Sequence, residues 1–266
     1  MSAVMTPRQG VSQARAFRAV LRRDVFVTLS ELPVFVAQVI LQPLFLLFVF
    51  GKVLGALGYT RRGYADLLFP GLLALTAMIT AIQTLAFPLM VEFGWTMEIE
   101  DRLLAPMATG LVAMEKVLFA TLRAMVAAAL MIPVGILVLG SIPWRWAGLP
   151  LLLAAMALGS LLGAGFGLVL GTLVAPNRIN IVFSLIFTPL LFTGCVQYPW
   201  PALARLQWFQ VVTAANPMTY VSELMRAALV PLVPHITPWV CLTVLGATIT
   251  ALLTIGVRGF YRRAID

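Results

Sequence analysis

Apolar runs of membrane-spanning length recur along this chain and leave little sequence between them. They cover about Pro33–Leu57, Leu67–Val91, Val117–Leu139, Leu149–Val174, Ile179–Thr193 and Thr237–Val257. A helix needs about 20 apolar residues to cross the hydrocarbon core. Backbone in that core has no water to bond, so it must be satisfied within helices or closed barrels. The charge content fits the same solvent: 61% of the 266 residues are hydrophobic, 11% are charged, and mean hydropathy is +1.00. Soluble domains average about 25% charged residues, so this chain cannot cover a water-facing surface. The expectation is an all-α integral membrane protein with six transmembrane helices in one domain, residues 1–266. Residues 1–30 form an amphipathic cytoplasmic N-terminus, 33–257 the six-helix bundle and 258–266 a cytoplasmic tail.

The N-terminal stretch carries Arg8, Arg15, Arg18, Arg22 and Arg23 before the first apolar run. No small-residue cleavage site follows at signal-peptide distance, so no processing is expected. From Ser12 to Leu29, helical spacing places Phe17, Val20, Leu21 and Val25 on one face. Two readings fit: a helix lying along the inner leaflet, or a basic tail that only sets topology. Lys and Arg fix the orientation. With the N-terminus inside, the inner segments hold eleven, and the outer segments hold six: Lys52, Arg61, Arg62, Arg145, Arg205 and Arg226. Both termini are therefore expected in the cytoplasm, with Arg123 reaching back from the third span toward the inner side. A net charge of +8 would suggest nucleic acid for a soluble protein. Here the basic residues flank the spans, so membrane lipid is the expected partner and nucleic acid is not.

In the fourth span, Ala155, Gly159, Gly163, Gly167, Gly171 and Ala175 recur at every fourth position. Small residues at that spacing let another helix approach closely. Such a row drifts about 40° per step around a 3.6-residue helix, so it meets two neighbours in turn. It serves either static helix packing or a sliding seam in a moving bundle.

No catalytic residue, metal site or cofactor is expected in this chain. His235 is the only histidine and lies in a proline-rich outer loop. Gly-x-Ser-x-Gly, paired-histidine and HExxH patterns are absent, and Cys195 and Cys241 form neither a disulfide framework nor a metal spacing. A Walker A sequence is also absent. The spans lack the acidic residues typical of ion-coupled carriers. A transporter of this kind would draw its energy from a partner.

Four motifs add a family resemblance. Phe69-Pro70-Gly71 opens the second span, and Glu100-Asp101-Arg102-Leu103-Leu104-Ala105-Pro106 lies in the following inner loop. Gly194 precedes Tyr198-Pro199 after the fifth span, and Asn216-Pro217-Met218-Thr219-Tyr220-Val221-Ser222-Glu223-Leu224-Met225-Arg226 precedes the sixth. In this order and spacing the chain resembles the membrane subunit of an ABC-2 type exporter, over nearly its whole length. Relatives of that kind include daunorubicin-resistance, nodulation-factor and O-antigen or teichoic-acid permeases. The Asn-Pro-to-Arg stretch is the most specific part.

The resemblance implies a multi-pass permease of a bacterial cell membrane. It would pair with a second copy or a homologue and dock two copies of a separate ATP-binding subunit, which would hold ATP and Mg. It implies a short cytoplasmic coupling helix, about Thr96–Gly110, in which Glu98, Glu100, Asp101, Arg102, Leu103 and Pro106 face the ATPase; a solvated loop is the alternative. It also implies extracellular re-entrant helices between spans five and six, around Gly194, Tyr198, Pro199, Asn216, Pro217 and Tyr220. An interfacial helix on the outer leaflet fits the aromatics Trp200, Trp208 and Phe209 as well. Glu223 and Arg226, three apart, suit a pair on one helix face, either structural or part of an exit gate. The implied cargo is an amphipathic drug or a lipid-like or lipid-linked molecule, the multidrug-resistance kind of export. Polysaccharide or glycolipid export and a non-transporting membrane scaffold are the rival readings.

Overall fold

The computed structural model describes residues 13–60, 63–94, 108–174 and 178–265. Regular structure among these residues is entirely helical. Helix α1 (Gln13–Ser30) leads into α2 (Leu32–Leu46), which widens into a π-helical stretch, Leu47–Val53, one turn after Pro43. A proline nitrogen has no hydrogen to give to the helix, and such sites commonly disturb its winding. There follow α3 (Tyr64–Gly94), α4 (Thr109–Leu139), α5 (Leu149–Leu173) and α6 (Ile179–Thr193). Two short helices, α7 (Gln207–Ala214) and α8 (Pro217–Leu229), precede the last long one, α9 (Pro238–Ile265).

Among the described residues, five segments are long and apolar enough to cross a membrane: Leu32–Ala56, Tyr64–Phe93, Thr109–Leu139, Trp146–Leu173 and Pro238–Arg263. The chain is thus a helical, multi-pass membrane protein. The fifth of the six expected spans differs from the others. As α6 it has 15 residues, and at about 1.5 Å per residue it is shorter than a hydrocarbon core of about 30 Å.

Helices α3 and α5 share the most extensive interface, and the glycine row of α5 shows why they lie so close. A Cβ added at Gly163 would stand 2.4 Å from the carbonyl oxygen of Met78. At Gly167 and Gly171 it would stand 2.9 and 2.7 Å from the Cβ atoms of Leu85 and Leu89. At Gly159 the nearest atom is Val221 Cγ1 on α8, at 2.6 Å. The row therefore meets α8 first and α3 afterwards. On another side of α5, Gly165 lies against Leu252 of α9, and α9 approaches in turn through Gly256 and Gly259.

One end of the bundle gathers charged groups. The sequence places Glu92 and Lys116 at the edges of an inner loop, but α3 runs on to Gly94 and α4 begins at Thr109. Both residues lie on helices, where Lys116 Nζ approaches Glu92 Oε2 at 2.7 Å with both side chains nearly buried. Each neutralises the other, which lets the two helices extend past them. Beside this pair, Arg263 of α9 donates to the carbonyls of Gly171, Thr172 and Val174 at 3.4, 3.2 and 3.2 Å. The last carbonyls of a helix have no partner of their own, and a cation there also opposes the helix dipole. The Tyr261 hydroxyl accepts a hydrogen bond from Gly110 N–H at 3.0 Å, tying α9 to the start of α4. Helix α1 packs against α4 with Phe17, Val20 and Leu21 half-buried. Val25 and the arginines Arg15, Arg18, Arg22 and Arg23 are exposed.

Candidate functional site

At the opposite end, three of the sequence motifs converge on α8. Its start is locally encoded. Asn216 accepts from Met218 N–H at 2.9 Å as the N-cap, and Pro217 occupies the first turn, where its missing N–H is not needed. Almost all of the helix is buried, from Met218 through Leu229. Such a helix must find partners for any polar group it carries.

Glu223 and Arg226 are the sharpest case, because both side chains are wholly buried. They pair directly through Arg226 Nη1 and Glu223 Oε1. Glu223 also accepts from the backbone N–H of Trp200 at 2.9 Å and of Ile236 at 3.0 Å. Arg226 Nη2 donates to the carbonyl of Cys195 at 3.0 Å and reaches that of Leu67 at 3.4 Å. One ion pair thereby holds four segments: α8, the turn after α6, the loop before α9 and the start of α3. Burial draws the Arg226 pKa down, while the Glu223 carboxylate beside it works the other way.

The turn after α6 is bound as closely. Cys195 has φ 51°, the left-handed region that side chains seldom adopt, and this conformation presents its carbonyl to Arg226. Burial pushes the Cys195 thiol up to about 11 and the Tyr198 hydroxyl up to about 12. Ser222 donates to Gly194 O at 2.9 Å, and Thr219 donates to Thr213 O at 2.6 Å. Asn216 Nδ2 donates to Thr193 Oγ1 at 2.9 Å, and the Tyr220 hydroxyl donates to Ala214 O at 2.8 Å. Tyr198 donates to Phe192 O. Pro199 caps the 3-10 turn Trp200–Arg205. Trp200 Nε1 donates to Gln210 O on α7 at 3.1 Å.

Tight backbone approaches complete the junction. A Cβ at Gly71, the glycine of Phe69-Pro70-Gly71, would overlap Val196 O at 2.0 Å, and one at Gly148 would meet Ala228 O at the same distance. Gly194 lies against Met218. The donors from Trp200 and Ile236, the Cys195 carbonyl and Gly148 were not legible as site groups. Their only sequence signal is the co-occurrence of motifs that need one another. The residues expected to face an ATPase, Glu98, Glu100, Asp101, Arg102, Leu103 and Pro106, lie outside the described residues.

The junction is suited to mechanics rather than bond-making. Charge-assisted hydrogen bonds at one point register several segments, so they move together or break together. A family model described as "ABC-2 type transporter" matches residues 15–230, from α1 through α8. No curated protein matches the chain. With five membrane-length helices among the described residues and a family match over most of its length, the chain belongs to the ABC-2 type transporter family, as a membrane domain and not as a catalytic ATPase.

Proposed function

We propose that this chain is the permease subunit of an ATP-driven exporter that moves an amphipathic drug or a lipid-like or lipid-linked cargo. The family match over residues 15–230 carries the reading. Two copies, or one copy and a homologue, form the pathway at their interface. Two ATP-binding subunits holding ATP and Mg dock beneath the residues 96–110, with Glu98, Glu100, Asp101 and Arg102 as charged contacts. Helix α6 acts as the fifth of six spans and α9 as the sixth, and the junction around Gly194, Glu223 and Arg226 forms a latch that re-enters from the outer face of a bacterial cell membrane. In support, the latch end carries the aromatics Tyr198, Trp200, Trp208 and Phe209, while Arg23 of α1 and Arg263 of α9 lie at the other end.

Co-expression with a candidate ATP-binding subunit tests the proposal. The expected result is a complex that co-purifies and hydrolyses ATP faster when amphiphilic cargo is supplied in proteoliposomes. A chain that binds no ATPase and moves no amphiphile is a membrane scaffold instead.

A further inference from the structure

A cleft of about 500 Å³ opens between α2, α3 and α4, well away from the latch. Gln38, Thr80, Gln83, Thr84, Phe35 and Arg123 are among its walls. It continues past Gln42 and Thr76 through a narrow pocket of about 50 Å³. Gln42 is also part of the wall of a groove of about 450 Å³ along α2, otherwise lined by Leu41, Phe45, Val49, Phe50 and their apolar neighbours. A polar chamber and an apolar channel thus meet at Gln42.

The polar residues are placed by helical spacing. Gln38 and Gln42 stand four apart on α2, and Thr76, Thr80 and Gln83 stand four and three apart on α3. Each set therefore shares a face. The face of α3 that carries Leu85 and Leu89 is taken by the glycines of α5, so this polar row is a second, separate face. Gln38, Gln42 and Gln83 are exposed, and an amide facing bare hydrocarbon is expensive unless something hydrogen-bonds it.

Arg123 is the charged member of the chamber. Its guanidinium lies 4.5 Å above the Phe35 ring, which steadies a cation but accepts no directed hydrogen bond. Its Nε is buried without an acceptor among the described residues, and no described carboxylate is within ion-pair distance of it. The acidic groups at the neighbouring pocket, Asp24 and Glu92, have partners of their own, and Glu31, whose charge acts on Arg123, stands beyond ion-pair distance. Arg presents its donors in a planar fork that matches phosphate or carboxylate. Phe35 lies one turn into α2, just past the amphipathic α1, so the cleft opens near the N-terminal end of that helix.

We propose that the cleft binds the anionic headgroup of a membrane amphiphile. Arg123 takes the charge, Gln38 and Gln83 hydrogen-bond the remaining oxygens, and the hydrocarbon tail lies along Leu41, Phe45 and Val49. The proposal rests on the exporter reading only in calling that amphiphile cargo.

The test uses the full chain in phosphatidylcholine nanodiscs. Diazirine-tailed phosphatidic acid is compared with diacylglycerol bearing the same tail. Phosphatidic acid should label the Leu41–Val49 region about tenfold more strongly, the scale of one or two charge-assisted hydrogen bonds. Arg123→Gln should remove that preference, and Arg123→Lys should restore part of it. If Arg123→Gln does not fold, Gln38→Leu with Gln83→Leu keeps the charge and should still lower labelling several-fold. Equal labelling by the two lipids, or labelling indifferent to these variants, overturns the proposal. Full competition by inorganic phosphate also overturns it, by making the site one for free anions. Labelling needs no ATPase, so a missing ATPase partner defeats the exporter reading and leaves this one standing.

Discussion

Arg226 and Glu223 stand one turn apart on α8, both wholly buried, and between them they hold the carbonyl of Cys195 and the amides of Trp200 and Ile236. Removing one member of such a pair leaves the other charge buried and uncompensated. Arg226→Met should therefore destabilise the fold by about 3–5 kcal/mol, against about 0–1 kcal/mol for an exposed pair. Thermal melting in detergent reads this. A variant that melts with the parent would mean that the carboxylate and guanidinium are not paired in the membrane.

Gly163→Leu and Gly167→Leu should each destabilise the bundle by ~1–3 kcal/mol. The Met78 carbonyl and the Leu85 Cβ already occupy the space that the new side chain needs. Gly246→Leu is the matched control, because a Cβ there would meet nothing within 4 Å. Equal melting of all three variants would place the glycine row against lipid.

Arg263→Met should cost about 1.5–3 kcal/mol, the scale of hydrogen bonds made by a charged group. The carbonyls of Gly171, Thr172 and Val174 lose their donor, so the last turn of α5 should exchange its amide hydrogens faster. Unchanged exchange there would show that water replaces the arginine without penalty.

Charge reversal at Glu100 and Asp101 should uncouple ATP hydrolysis from export while leaving melting unchanged. The expected readout in reconstituted complexes is loss of cargo-stimulated ATPase activity or of partner binding. Normal coupling in the double Lys variant would remove these residues from the contact.

Single cysteines at Ala202 and His235 should react with a membrane-impermeant maleimide from outside, and ones at Thr96 and Ile265 should not. Cys195 and Cys241 are replaced first, although both are buried and the Cys195 thiol, pushed up to about 11 by burial, has little reactive thiolate near neutral pH. Labelling of Ile265 from outside would overturn the six-span topology.

The sequence by itself determined the solvent, the helical class and the approximate position of each apolar helix, because hydropathy is local and hydrocarbon admits few backbone solutions. It also marked the small-residue row of α5 and the Asn216-Pro217 helix start, whose signals lie within a turn or two of chain. Only the tertiary structure decided what those features meet. Leu67 and Arg226 are 159 residues apart, and no periodicity says that the carbonyl of one receives the guanidinium of the other. Arg263 read as one more topogenic charge until α9 brought it to the end of α5. Glu92 and Lys116 read as loop residues until each neutralised the other between two helices. The glutamines of α2 and α3 drew no reading from the sequence, and they form a chamber around Arg123 only because the helices stand side by side. A buried polar group is tolerable only where a partner stands, and where partners stand is a property of the packed bundle.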